Sequence, residues 1–269
     1  MIDIAITGSV GRMGQTLVQM IAQQSDTLRL TQATVLPDDL ALGNDIGLLA
    51  SGKLLGVVTQ VKLAAAGFDV AIDFTSPAAS LEHLACCAEA GKAIVIGTTG
   101  FDDVQRELLL QYASKIPVVF AANYSIGVTL SLQLLKQASR VLSDDYDVEI
   151  YEAHHRYKKD APSGTALKMG EVIAAGRQVA LKDVAVYSRD GFTEGREKGS
   201  IGFACVRAGD IVGDHTVTFA TEGERLEITH KASSRSTFAK GAIRAAIWAV
   251  GKPAGLYSMD DVLGFTQES

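Results

Sequence analysis

The chain has 269 residues, 47% apolar and 21% charged, a globular balance long enough for two modest domains. A formal net charge of −6 and only 6% aromatic residues argue against nucleic acid, which needs a basic surface or a stacking platform. No apolar run approaches the ~20 residues that span a bilayer, the first residues read as a strand, and Cys86, Cys87 and Cys205 lack zinc or redox spacing, so a cytoplasmic chain with free thiols and no membrane partner is expected.

Ile2 to Thr7 is apolar and β-branched and reads as the first strand. It runs into Gly8-Ser9-Val10-Gly11-Arg12-Met13-Gly14 and then an apolar helix, Gln15 to Gln24. Strand, glycine turn and helix together form the setting of a dinucleotide-binding loop, although the spacing is G-x-x-G-x-x-G and a merely structural turn is the competing reading. A second strand is expected over 28–36, and residues 40–66 carry few signals. Val70 to Thr75 reads as a buried strand, and Ser76-Pro77 starts a helix that ends at Ala90-Gly91. Cys86 and Cys87 fall inside that helix as packing residues. Ala93 to Ile96 is the next strand, followed by Gly97-Thr98-Thr99-Gly100, a helix over 102–114, and a strand over 118–122 that ends at Asn123-Tyr124-Ser125. Strands alternating with helices imply right-handed crossovers and a parallel sheet. Ligands then bind beyond the carboxyl ends of the strands, where the 8–14, 97–100 and 121–125 loops converge. Each loop alone is ordinary turn chemistry; three on one edge suggest a crevice.

A helix over 130–142 leads to a strand over 147–152 and then to Tyr151-Glu-Ala-His-His-Arg-Tyr-Lys-Lys-Asp-Ala-Pro-Ser-Gly-Thr-Ala166. Ser163 reads as the N-cap of a helix over 165–175, which leaves first-turn amides free for an anion. Histidine pairs and Lys-Lys runs are commonly solvated surface. An imidazole pair, ammonium groups and a helix start on one short segment instead suit a small polyanion that must receive a proton. Segments 199–208, 215–220 and 225–232 read as strands joined by glycine turns in an antiparallel sheet. Ser236 is expected to cap a helix over 238–250 that packs back on the first domain. The expected fold is therefore α/β, with a Rossmann-like parallel sheet over 1–125 completed by 236–269. Residues 126–235 form an inserted α+β domain of mainly antiparallel sheet.

These residues resemble the 4-hydroxy-tetrahydrodipicolinate reductases, bacterial enzymes of the diaminopimelate and lysine route. The likeness covers essentially the whole chain. It rests on Gly8 to Gly14, on Glu152 to Ala166, on Gly97-Thr98-Thr99-Gly100-Phe101 and on Ala121-Ala122-Asn123-Tyr124; Arg207 to Gly213 and His230 to Arg235 look like further family segments. The resemblance implies reduction of a cyclic imine-type dicarboxylate by NADH or NADPH. It implies His154 and Lys158 as the acid/base and proton donor, and His155, Gly164 and Thr165 as substrate contacts. Gly8, Ser9, Val10, Gly11, Arg12, Met13, Gly97, Thr98, Thr99, Ala121, Ala122, Asn123 and Tyr124 are implied as cofactor contacts. It also implies a homotetramer; the alternating sheet over 199–232, covered by few helices, has a face to bury and is the expected interface.

Rival readings fare less well. A semialdehyde dehydrogenase needs an activated cysteine, and none has the setting. A silent nucleotide sensor has no use for both His154 and Lys158. Adjacent histidines without an H-E-x-x-H pattern do not suggest a metal enzyme. One departure concerns cofactor choice. The second strand ends Thr34-Val35-Leu36-Pro37, without the acid or arginine that usually meets the adenosine ribose or its 2′-phosphate. Asp38 and Asp39 come late and Arg12 is the nearest cation, so both NADH and NADPH are expected to serve.

Overall fold

The computed structural model describes residues 1–192 and 195–266. The elements, in chain order, are β1 (Ile2–Thr7), α1 (Arg12–Ala22), β2 (Leu28–Thr34), α2 (Ile46–Ser51), β3 (Thr59–Gln60), β4 (Val70–Asp73), α3 (Pro77–Ala90), β5 (Ala93–Ile96), α4 (Asp103–Ala113) and β6 (Pro117–Phe120). There follow α5 (Ile126–Leu142), β7 (Asp147–His154), α6 (Gly164–Gly176), α7 (Leu181–Val184), β8 (Ala185–Val186), β9 (Ile201–Arg207), β10 (Gly213–Thr221) and β11 (Glu224–Ala232). The last elements are α8 (Ser236–Ala249), β12 (Gly255–Tyr257) and α9 (Met259–Leu263). They form two compact units, Met1–Ile126 with Arg235–Ser269, and Gly127–Ser234.

The first unit is built on a seven-stranded sheet of order β12-β6-β5-β4-β1-β2-β3, with every pairing parallel. Its middle strands are near-continuous apolar runs, and β4 and β5 are buried throughout, as strands covered on both faces must be. Helix boundaries follow local chemistry: Pro77 opens α3 and Gly91 closes it in the left-handed region, while Asp102 and Gln105 form a capping box on α4. Helix α8 returns to this unit with Ala239, Ala242, Ile243, Ala245, Ala246 and Ala249 in its core. The chain reaches α8 without the expected Ser236 cap: Arg235 is the N-cap residue and Ser236 the first helical one.

The second unit carries a five-stranded sheet of order β11-β10-β7-β9-β8. The pairs β10–β11 and β10–β7 are antiparallel, but β7–β9 and β8–β9 are parallel. The sheet is thus mixed, which corrects the expectation that the 199–208 strand belongs to an antiparallel run. The cause is the crossover: α6 and α7 lie between β7 and β9 in sequence, and a helical crossover returns the chain in the same direction. Val148 and Ile150 of β7, Ile201 and Phe203 of β9, and Val217 and Phe219 of β10 form one core with Ala166, Met169 and Ile173 of α6.

Candidate active site

In the first unit the turn after β1 is shaped by its glycines. Gly8 has a φ of 63°, and a Cβ there would lie 2.8 Å from Thr75 Cγ2. A Cβ on Gly14 would run into the Gly8 and Ser9 carbonyls, so α1 starts directly against the turn. Gly11 is the N-cap and supplies no side-chain acceptor, so first-turn amides of α1 remain available. Beside this turn opens a cavity of about 560 Å³, lined in part by Gly8, Val10, Gly11, Leu36, Lys62 and His83. A bare glycine turn and a helix N-terminus suit a diphosphate.

The other residues proposed from sequence divide by what their side chains do. Ser9 is buried and its hydroxyl donates to the Thr34 carbonyl at 3.0 Å, tying the turn to β2. Arg12 is exposed, and Met13 packs partly on the core. Gly97, Thr98 and Thr99 follow β5; Ala121, Ala122, Asn123 and Tyr124 follow β6. Tyr124 is fully buried, with its hydroxyl within 2.9 Å of both the Ile96 and Val119 carbonyls, so its side chain is a packing group of the first unit. A cation that sequence reading passed over, Lys62, lines the cavity, as does Asp39, whose Oδ1 accepts the Ala41 amide at 2.8 Å.

Asp73, at the carboxyl end of β4, was also missed. It is wholly buried. Its Oδ1 accepts from Ser80 at 2.6 Å and Thr98 at 2.8 Å, and its Oδ2 accepts from Thr7 at 2.8 Å and His83 Nδ1 at 2.6 Å. Burial pushes this carboxyl up, but the bonds from His83, Ser80 and Thr7 more than offset it and leave the group below its ordinary value. One carboxylate thereby joins the ends of β1 and β4, the loop after β5, and α3.

In the second unit, alternation along three neighbouring strands builds the site. Residues 148, 150, 152 and 154 of β7 share one face; the first two are core, the last two are Glu152 and His154. Register places His215 of β10 beside Glu152, and Cys205 and Arg207 of β9 beside Glu152 and His154. Each strand is thus apolar at one end and polar at the other. The His154 and His215 rings meet edge to face with centroids 5.1 Å apart. His154 Nδ1 lies 2.6 Å from Glu152 Oε2, and His215 Nε2 lies 3.0 Å from Ser163 Oγ.

Ser163 caps α6, its Oγ accepting the Ala166 amide at 3.1 Å, so Gly164 and Thr165 stand in the first turn. Lys158 pairs with Asp160 at 2.9 Å. His155 is half-buried, with Nδ1 enclosed and without a hydrogen-bond partner. Burial, then Arg207 and His154, act on Glu152 in opposite directions, and the donors win: its carboxyl sits at about 2. Burial lowers His154 below its ordinary value although Glu152 opposes it, and burial with the neighbouring His154 takes His215 down to about 4. The stretch around Tyr151 to Ala166 is thus assembled with Arg207 and His215, neither of which was singled out as a site residue from the sequence.

The cysteines offer no competing chemistry. Burial raises the thiols of Cys86, Cys87 and Cys205 above their ordinary range. Among the described residues, no three His, Cys, Asp or Glu side chains are grouped to hold a metal ion, and no helix is long and apolar enough to cross a membrane.

Known proteins share this sequence and fold. Residues 2–124 match the family model "Dihydrodipicolinate reductase, N-terminus", and residues 127–263 match "Dihydrodipicolinate reductase, C-terminus". The chain is 59% identical over 262 residues to the 4-hydroxy-tetrahydrodipicolinate reductase of Pseudomonas fluorescens strain Pf-5, covering 97% of this chain and 98% of that one. It is 58% identical to the enzyme of strain Pf0-1, at the same coverage. Among solved structures, the dipicolinate-bound dihydrodipicolinate reductase from Paenisporosarcina sp. TG-14 superposes with a TM-score of 0.75 at 27% identity, covering 96% of this chain and 97% of that one. An amine dehydrogenase from Mycobacterium smegmatis, at 15% identity and a TM-score of 0.59, shares the fold. The chain belongs to the dihydrodipicolinate reductase family.

Proposed function

We propose a division of labour for the reaction this chain catalyses, the NAD(P)H-dependent reduction of 4-hydroxy-tetrahydrodipicolinate to tetrahydrodipicolinate. Residues 1–125 with 236–269 hold the cofactor; residues 126–235 hold the substrate and carry the subunit contacts of a homotetramer in the cytoplasm. Replacing the 4-hydroxyl by hydrogen takes up a hydride and a proton and releases water. NAD(P)H supplies the hydride. The Gly8–Gly14 turn and the first-turn amides of α1 receive its diphosphate, and the loops at 97–99 and 121–124 present backbone at the carboxyl ends of β5 and β6.

His154 is the acid that supplies the proton. Its Nδ1 is engaged by Glu152, so Nε2 is the nitrogen left for transfer. Lys158 is the second donor, an ammonium held by Asp160. His155 and the amides of Gly164 and Thr165 take the substrate carboxylates, for which a helix N-terminus and neighbouring cations are the fitting partners. A family relative is described as binding dipicolinate, a planar dicarboxylate, which supports this class of substrate. The observation that carries the reading is the His154–Glu152 pair beside the Ser163 cap, an acid and a helix start at the carboxyl end of the central strand β7. The test is NAD(P)H oxidation with the freshly generated condensation product of pyruvate and aspartate semialdehyde. Oxidation that requires this product is expected; its absence with both cofactors overturns the reading.

A further inference from the structure

Glu152 is completely enclosed, and four donors meet on its two oxygens. Oε2 accepts from His154 Nδ1 at 2.6 Å and Arg207 Nη1 at 2.7 Å; Oε1 accepts from Arg207 Nη2 at 2.7 Å and the Ser163 amide at 3.1 Å. Arg207 Nη2 also donates to the Asp160 carbonyl at 2.6 Å, and the Asp160 carboxylate holds Lys158. The bidentate arginine alone satisfies a buried carboxylate electrostatically. The other two bonds go to the imidazole and to the turn ahead of Gly164 and Thr165. Glycine completes the setting: a Cβ on Gly213 would lie 3.1 Å from His154 Nε2, so its bareness leaves that nitrogen open.

We propose that Glu152 is the positioning residue of the reaction, fixing His154 with a proton on Nδ1 so that Nε2 faces the substrate, and setting the Ser163–Thr165 turn that receives a carboxylate. This rests on His154 being the acid. The groups facing His154 are Glu152 on its own strand, Arg207 from β9, His215 from β10 and Lys158 from the following loop. Burial, Lys158 and Arg207 all oppose an imidazolium there, and Glu152 is the group that supports one. His215 is neutral near pH 7 and adds no charge. Removing the Glu152 charge therefore leaves the imidazolium without support, and His154 is protonated only at lower pH.

The test is the pH profile of kcat for Glu152→Gln, with His154→Gln beside it. At neutral pH the Glu152→Gln enzyme should lose at least about tenfold in kcat, toward the ~100–10,000-fold that general acid catalysis contributes. The limb on which the acid must stay protonated should move to lower pH, so that activity partly recovers in acid. The substrate KM should rise and the dissociation constant for NADH should stay unchanged. A profile that superposes on that of the unsubstituted enzyme overturns the proposal, even if kcat is lower throughout, because a merely structural role scales the rate without moving the limb. If His154→Gln itself retains full turnover, the assignment of the acid fails and the positioning role with it. If His154→Gln is impaired while Glu152→Gln keeps its profile, the positioning role alone fails. Should the glutamine variant not fold, 15N-histidine NMR of the unsubstituted chain decides, with His154 assigned by its absence in His154→Gln. A neutral ring carrying its proton on Nδ1 agrees with the proposal; one carrying it on Nε2 refutes it.

Discussion

Asp73→Asn tests whether one buried carboxylate anchors the crevice of the first unit. The substitution keeps the shape and removes the charge. If the new amide nitrogen takes the Oδ2 position, Thr7 can turn its hydroxyl toward the Ile72 carbonyl at 3.4 Å, and His83 can accept through Nδ1 by moving its proton to Nε2. Ser80 and Thr98 still donate to the remaining oxygen. The cost is thus the exchange of charge-assisted bonds from Ser80, Thr98 and His83 for neutral ones, roughly 1 kcal/mol each and about 3 kcal/mol together. For a unit of this size that lowers the melting temperature by about 6–12 °C. The sign with pH follows. The Asp73 carboxyl is depressed when folded, so its contribution is present above the ordinary 3.8 and is lost as pH falls through the lower folded value. The variant should lose that part of the acid dependence. Differential scanning calorimetry between pH 3 and 7 measures both. A loss below about 2 °C at neutral pH, with an unaltered acid limb, would show that the cluster does not depend on the charge.

His215 shifts stability in the same direction, over a higher pH range. A ring lowered from 6.5 to about 4 resists protonation, so stability falls as pH drops from 6.5 toward 4, by at most about 3 kcal/mol. His215→Gln should flatten that decline in a denaturation series, and an unchanged slope would refute the assignment. For the cofactors, Lys62 in the cavity lining favours a 2′-phosphate while Asp39, also in the lining, favours a ribose hydroxyl, so kcat/KM for NADH and NADPH should differ by no more than about tenfold. Lys62→Ala should reduce the NADPH value selectively; a hundredfold preference in the unsubstituted enzyme would contradict the argument. Light scattering should give a tetramer, in keeping with the exposed Leu226 on β11, and a stable monomer at micromolar concentration would exclude it.

The parallel half of the molecule is readable from sequence because its central strands are short apolar runs, β1 and β5 close on glycine-bearing turns, and the helices carry their own caps at Pro77, Gly91 and Asp102. Edge strands escape such reading: β3 has two residues and β12 three, too few for any period to show. Strand direction escapes it as well. Ile201 to Arg207 carries no mark of running parallel to β7, since alternation is the same both ways and the crossover decides. At the site, the 152–166 stretch is legible because its residues adjoin. Arg207 and His215 join it only through sheet register, and Asp73 gathers partners scattered from Thr7 to Thr98. Lys62 lies in a segment without periodic signals, and folding of the 59–62 chain beside β2 brings it to the cavity.

The central claim is that His154 and Lys158 deliver the proton and take no part in holding the cofactor. Turnover and the NADH dissociation constant, measured together for His154→Gln and Lys158→Ala, test it most directly. Each variant should lose ~100–10,000-fold in kcat while binding NADH as the unsubstituted enzyme does. Unimpaired turnover in either variant, or a loss of activity matched by a loss of NADH affinity, would contradict the account.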